Sequence, residues 1–415
     1  MADFTVTEHV IHGAHIRDYA RATAEHQDAS LKLHVKQYTP KDNPAPRNGD
    51  LTIIGAHGNG FPKELYEPLW DHLRRELAKQ GLRIRDIWIA DCAWQGQSGV
   101  LNQAQGLLGN DPSWYDHSRD MVHMINTFRM PRPLIAVGHS FGANALAHAA
   151  LLHPRLFHSM VLLDAVIFEA SSGNGAAAAA ASSRRRDVWP SRQEAAQSFR
   201  RSPFYRAWDP AVFDLWIKHG LRDHSPAAGD RGEVTLVTSK HQEVFTFARP
   251  SWPAFDAEGK EIINQDWIRD LGAAQTLDRA LYPFYRPEVI LTHQGLPHLR
   301  PGVVFINGGS RPLMPLEHVA ARAAITGTAR GGSGGPDTGR VRNLTHPHHG
   351  HLIPFENPAF CAQAAGAFLA VEMAVWAVEE REYQQWTEQP LQQKTTLSRD
   401  WESHLGTNHR PKSKM

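Results

Sequence analysis

Gly138-His139-Ser140-Phe141-Gly142 is the stretch whose reading decides the fold. It spells G-x-S-x-G between the aliphatic run Leu134-Ile135-Ala136-Val137 and a run of helix formers over residues 143–152. The apolar run is short and is entered through Pro131-Arg132-Pro133, which predicts a buried parallel strand. The run after it stops at His153-Pro154, which predicts a helix. A serine on a sharp turn between strand and helix is presented at the strand's carboxyl end, where a nucleophile belongs. Glycines on both sides let the two elements approach closely. Ser140 is therefore the candidate nucleophile, and Gly138, His139 and Gly142 build its elbow. The competing reading, a Gly-rich turn with a solvated serine, fits the five residues but not their flanks.

Outward from the elbow the pattern alternates. Residues 31–38 alternate apolar and polar, which predicts a half-exposed antiparallel strand at a sheet edge. Leu51–Ala56 and Ile84–Ala90 read as buried strands. Between them Leu65, Leu69, Leu73 and Leu77 mark one face of a helix, and residues 113–130 predict another. Val161-Leu162-Leu163 is the next strand and ends at Asp164. Strands alternating with helices in this way predict an α/β fold with a mostly parallel central sheet covered by helices.

The alternation breaks after Asp164. From residue 168 to about 294 there is an alanine run (176–181), the basic run Arg184-Arg185-Arg186 and several aromatic-rich pieces. The alanine run reads as a flexible, low-complexity segment, and the block as a largely helical cap. Alternation resumes with a strand over 303–309, a helix over 316–325, a Gly-rich loop over 327–338 and a last strand over 340–344. A closing helix is expected from Pro358 past Trp376. The expected organisation is a core of residues 1–166 and 295–388, a cap of 167–294, and a tail of 389–415.

The chain has 415 residues, 44 basic and 43 acidic, so its net charge of +1 supplies no field for nucleic acid. The apolar stretches are interrupted by Asn144, His148, Gln363 and Glu372, so no membrane span is expected. Cys92 and Cys361 are too few for a disulfide framework, and the N-terminus lacks signal-peptide features. The chain is expected to stay inside the cell. Ser413-Lys414-Met415, at the end of a polar tail, is close to the Ser-Lys-Leu peroxisomal address. The expected location is the peroxisomal matrix, with the import receptor as a partner, or the cytoplasm if the tripeptide is not read.

A serine hydroxyl needs a base to take its proton and a third group to orient that base. In sheets of this kind the order is serine, acid, histidine. The loop after the last strand holds His346, His348, His349 and His351. His351 follows Gly350 and precedes Leu352-Ile353-Pro354-Phe355, which gives it room above and packing below. It is the preferred base, with His349 second. The histidines lack the H-E-x-x-H spacing of a helical zinc site, so neither metal nor cofactor is called for. The acid is decided by a vacancy: Gly308-Gly309-Ser310-Arg311-Pro312-Leu313-Met314 carries no carboxylate, whereas Asp164 closes the strand after the nucleophile helix. Asp164 is the candidate acid and Glu317 the fallback. The backbone N–H groups of Phe141 and Asn59 are the expected oxyanion donors.

Together these residues resemble the α/β-hydrolase superfamily. The stretch from His57-Gly58-Asn59-Gly60-Phe61-Pro62 to Trp70, with residues 138–142, 187–192 and 350–355, is similar to the fungal peroxisomal acyl-CoA hydrolases of mycophenolic acid and toxin biosynthesis. The resemblance implies hydrolysis of an acyl-CoA thioester in secondary metabolism and a homodimer. It also implies that Ser140, Asp164 and His351 are the catalytic triad. Residues 91–98 and the alanine-rich cap depart from the pattern, which leaves the acyl group unassigned. The same triad serves an oxygen ester, and a non-catalytic binding protein on this scaffold is the remaining alternative. Arg184, Arg185, Arg186 and Arg192 are candidate phosphate partners for coenzyme A.

Overall fold

The computed structural model describes residues 2–169, 174–224, 232–268, 270 and 282–406. Its internal contacts divide the chain into two units, Met1–Ala370 and Val371–Met415.

The first unit is built on an eight-stranded sheet. Its leading strands are β1 (Phe4–His12), β2 (Lys32–Pro40), β3 (Leu51–Ala56), β4 (Ile84–Ala90), β5 (Leu134–His139) and β6 (Ser159–Leu163). β3, β5 and β6 are buried along their whole length, as expected of continuous aliphatic runs covered on both faces. The helices among them are α1 (Glu67–Lys79), α2 (Gly96–Gln103), α3 (Trp114–Thr127) and α4 (Phe141–Leu152). Leu69, Leu73 and Leu77 form the buried stripe of α1, while Leu65 sits one turn earlier in a 3-10 segment, Lys63–Tyr66. Ser113 caps α3 by accepting from the Tyr115 N–H.

The insertion after β6 holds α5 (Asn174–Arg184), β7 (Val188–Trp189), α6 (Arg192–Arg201), α7 (Pro203–Arg206) and α8 (Pro210–His219). Then come β8 (Leu221–Asp223), β9 (Val234–Leu236), α9 (Lys240–Phe247), β10 (Arg249–Pro250), β11 (Phe284–Tyr285) and α10 (Pro287–Gly295). Two small antiparallel sheets, β7-β9-β8 and β10-β11, make it richer in strand than the sequence predicts. Residues 187–191 are one of the differences: instead of continuing a helical cap they form a short strand and turn, and α6 begins only at Arg192. The alanine run is another. It forms most of α5, which packs on α9, because alanine has the highest helix propensity and needs only one partner face.

The sheet resumes with β12 (Gly302–Gly308), followed by α11 (Leu316–Ile325), β13 (Val341–His346), α12 (Ile353–Glu356) and α13 (Pro358–Thr387). Strand order is β1-β2-β4-β3-β5-β6-β12-β13, antiparallel at β1-β2 and β2-β4 and parallel from β4 to β13. β2 is therefore not the edge that its alternation suggests. β1 pairs along its whole length and takes the edge, leaving β2 mostly buried.

The register fixes where the loops emerge. Ala56 pairs with Gly138, His139 with Leu163, and Gly308 with His346. Residues 57–60, Ser140, Asp164 and 347–352 thus leave the sheet along one carboxyl edge, where ligands of open α/β sheets bind.

α13 crosses into the second unit, which also contains α14 (Leu391–Thr395) and α15 (Arg399–His404). α13 is 30 residues long and apolar enough by composition to cross a membrane, and half of its apolar window is buried within the protein. Val378, Tyr383, Trp386, Leu391, Leu397, Trp401 and Leu405 are exposed. Ser413, Lys414 and Met415 lie outside the described residues.

Candidate active site

Ser140 stands between β5 and α4 with φ 58° and ψ −122°, a conformation that costs a residue with a Cβ. Backbone bonds on both sides hold it there. Its N–H donates to the Leu163 carbonyl at 3.0 Å, and its own carbonyl accepts from Val166 N–H at 3.2 Å. Crowding explains the flanking glycines. A Cβ on Gly142 would sit 2.4 Å from the His57 carbonyl oxygen, and one on Gly138 would sit 2.6 Å from the Ala143 Cα.

His351 Nε2 lies 2.9 Å from Ser140 Oγ. Asp164 Oδ2 lies 3.6 Å from His351 Nδ1, in ion-pair range but beyond a hydrogen bond, so Nδ1 has no hydrogen-bond partner among the described residues. Catalytic contacts are commonly loose without substrate and tighten in the complex. The carboxylate facing Nδ1 favours the tautomer protonated there, which leaves Nε2 to accept the serine proton. Asp164 also takes a positive φ, 39°, and its Oδ2 accepts from the Gly308 N–H at 3.3 Å. The fully buried Arg322 guanidinium backs this corner. It donates to Asn307 Oδ1 at 2.8 Å and to the Ala165 carbonyl, and lies 4.5 Å above the Phe305 ring. Burial brings it down to about 10, against the pull of Asp164, so it is still a cation at neutral pH.

The other candidates point elsewhere. His349 Nδ1 faces Glu356 at 3.4 Å and its Nε2 meets Asn357 at 3.0 Å. Glu317 is an exposed residue in the first turn of α11. Among the described residues no group of His, Cys, Asp and Glu is arranged to hold a metal.

Phe141 opens α4, so its N–H lies at the positive end of a 12-residue helix. Among the described residues neither this N–H nor that of Asn59 has a protein acceptor. Both residues line the same cavity as Ser140 and His351. The loop carrying Asn59 is held from several sides. His57 Nε2 accepts from Cys92 N–H at 2.9 Å while its Nδ1 donates to the Gly58 carbonyl at 2.9 Å, and burial keeps this imidazole neutral. Gln95 Oε1 accepts from Gly60 N–H at 2.8 Å, and Gln95 Nε2 donates to Asn59 Oδ1 at 2.6 Å. Downstream, the Lys63 ammonium meets Asp91 at 2.6 Å. Burial disfavours that charge, but Asp91 and Glu64 outweigh it and the lysine rises above its usual range. Gln95 escaped the sequence reading because an isolated loop glutamine has no periodic or motif signal.

The cavity encloses about 490 Å³. Phe141, Trp114, Phe168 and Phe284 supply much of its apolar wall. Gly175, Ala178 and Ser182 line it from one face of α5, so the segment that reads as low complexity is a wall of the site. Arg185, just past the end of α5, also lines the cavity and pairs with the buried Glu243. Of the other three arginines, Arg192 donates to the Ile217, Lys218 and Leu221 carbonyls and Arg186 to Val188. Arg184, Arg186 and Arg192 do not line the cavity.

The alpha/beta hydrolase family model matches residues 53–364. The chain belongs to the alpha/beta hydrolase family. This hydrolase is 39% identical to the type I acyl-CoA thioesterase mpaH' of Penicillium brevicompactum, over 97% of this chain and 93% of the relative. It is 27% identical to the Abhydrolase domain-containing protein AFT2-1 of Alternaria alternata, over 56% of this chain and 81% of that protein. The peroxisomal alpha-beta-hydrolase Lpx1 of Saccharomyces cerevisiae shares the fold, with a TM-score of 0.68 at 15% identity, covering 98% of this chain and 97% of that one.

If α5 walls the substrate site, a larger side chain at Ala178 will exclude large substrates first. Ala178→Phe should lower kcat/KM for p-nitrophenyl palmitate by about tenfold or more while leaving p-nitrophenyl acetate within about threefold. Equal losses on both esters would show that α5 does not select by size.

Proposed function

We propose that this hydrolase cleaves an acyl-CoA thioester through an acyl-enzyme on Ser140. The observation that carries the reading is the 2.9 Å approach of His351 Nε2 to Ser140 Oγ on the wall of an apolar cavity. The 39% identity to an acyl-CoA thioesterase supports the choice of thioester.

In this mechanism His351 takes the Oγ proton as Oγ bonds to the acyl carbon, and Asp164 orients the imidazole and stabilises its cation. In this reading the oxyanion develops toward the Phe141 and Asn59 N–H groups, whose residues line the same cavity as Ser140. The carbon–sulfur bond breaks, and the coenzyme A sulfur leaves with the proton from His351. Water then gives a proton to His351 and its oxygen to the acyl carbon. Collapse of the second tetrahedral intermediate returns the proton to Ser140 and frees the carboxylic acid. The acyl group occupies the aromatic and alanine-lined cavity, where burial of apolar surface contributes roughly 25 cal/mol per Å².

Ser413-Lys414-Met415 supports a peroxisomal matrix location through the import receptor. The exposed apolar side chains at Tyr383, Trp386, Leu397 and Trp401 suit self-association as a homodimer.

Ser140→Ala should lower acyl-CoA hydrolysis, followed by free thiol, by at least about 10³-fold; unchanged turnover would remove the triad. Wild-type enzyme should prefer an acyl-CoA to the methyl ester of the same acid, and the opposite preference would make it an oxygen-ester hydrolase. Light scattering should give a dimer mass that falls to the monomer in Trp386→Glu/Trp401→Glu; a monomeric wild type would exclude the homodimer. A fluorescent fusion ending in residues 406–415 should enter fungal peroxisomes and stay cytoplasmic without the last three residues.

A further inference from the structure

Three hydrogen bonds cross the floor of the site outside the proposed triad. The Gly58 N–H donates to Tyr66 Oη at 2.7 Å, Tyr66 Oη meets His139 Nδ1 at 2.7 Å, and His139 Nε2 meets the His351 carbonyl oxygen at 3.0 Å. The two ends dictate the direction of the chain. A backbone N–H only donates, so the Tyr66 oxygen accepts there and its own proton goes to His139 Nδ1. His139 then carries its proton on Nε2 and gives it to the His351 carbonyl, which only accepts. One tautomer satisfies all three bonds.

The surroundings preserve that arrangement. Tyr66 and His139 are buried. Burial pushes the Tyr66 hydroxyl above its usual range and the His139 imidazole well below its own, so both are neutral. Phe355 packs edge-on against both rings, with centroids 5.1 Å and 5.4 Å away. A Cβ at Gly58 would lie 2.7 Å from His139 Nδ1, so this position needs glycine for the closeness of the strut.

We propose that Tyr66 and His139 are positioning residues, a neutral strut that holds the loop of Asn59 and the loop of His351 at a fixed separation across Ser140. The inference rests on the reading of Ser140 and His351 as nucleophile and base. Neither strut residue transfers a proton in the proposed mechanism. Each sets the place of a group that the mechanism uses: Gly58 adjoins the Asn59 N–H, and the carbonyl that His139 holds belongs to the base itself. The strut therefore acts on kcat, since the oxyanion donors and the base matter most in the transition state.

The test compares wild type, Tyr66→Phe, His139→Gln, His139→Leu and the pair Tyr66→Phe/His139→Leu on p-nitrophenyl butyrate. Melting temperature monitors folding, and a fluorophosphonate probe counts reactive Ser140. Tyr66→Phe and His139→Leu should each lower kcat about tenfold with KM within about twofold. Because the residues act as one unit, the pair should be no slower than its slower member. His139→Gln, which keeps an N–H close to the Nε2 position, should recover part of the His139→Leu loss. A folded Tyr66→Phe with wild-type kcat, or losses that multiply in the pair, would overturn the proposal. If Tyr66→Phe fails to fold, equal rates for His139→Gln and His139→Leu would overturn it. The parent reading is separated by Ser140→Ala: a silent, unlabelled Ser140→Ala beside a normal Tyr66→Phe removes the strut alone, and an active Ser140→Ala removes both.

Discussion

The positive φ of Ser140 is the constraint on which the rest of the site depends. A non-glycine residue in that region persists only where its surroundings over-determine it, and here they do. The Ser140 N–H and carbonyl are both committed to the chain around β6, and Gly142 lies so close to the His57 carbonyl that a methyl group would collide with it. The same bonds that hold the serine also carry Asp164. Asp164 N–H donates to the Ile306 carbonyl at 2.8 Å, and Asn144 on α4 reaches the Val166 carbonyl at 3.0 Å. The elbow and the acid-bearing turn are thus one hydrogen-bonded block, with β12 as its far wall.

How much of this was legible in sequence follows from where the information lies. The elbow is local: strand, turn and helix are neighbours in the chain, so residues 134–152 suffice to place Ser140. Asp164 and His351 come from separate turns, Asp164 directly after β6 and His351 in the loop that follows β13 of the same parallel sheet, so strand ends locate the turns that carry them. The bare loop at 308–314 is what favours Asp164 as the candidate acid in sequence, and Gly308 itself allows the loop of His351 near, since a Cβ there would lie 2.1 Å from the Gly350 carbonyl. The 3.6 Å separation of Asp164 from His351 is a matter of side-chain geometry that no sequence pattern encodes.

The parts that sequence did not disclose share a different cause. β1 is paired along its length yet mostly exposed, so it lacks the one-sided apolar pattern that marks a strand. α5 is almost uniform in hydropathy, and a helix of alanines shows no face until a partner and a cavity define one. Gln95, Tyr66 and Glu243 act through a few individual bonds each, to partners 8 to 184 residues away in the chain. Periodicity reports burial, and these contacts are individual.

The contacts of Gln95 and Glu243 join the insertion after β6 to the carboxyl edge of the sheet. Asn59 Nδ2 donates to the Glu243 carbonyl at 3.0 Å, while Gln95, which holds the other side of Asn59, also donates to Thr246 Oγ1 at 2.8 Å. Glu243 and Thr246 both belong to α9, the helix against which α5 packs. The Glu243 side chain accepts from Ser182 at 2.7 Å and crowds Gly60, where a Cβ would lie 2.9 Å from its carboxyl carbon. The wall that bounds the cavity and the loop that carries the Asn59 N–H are therefore fastened to the same helix. α5 and the Asn59 loop thus share α9 as their common support, α5 by packing and by the Ser182–Glu243 bond and the loop by the Asn59–Glu243 bond.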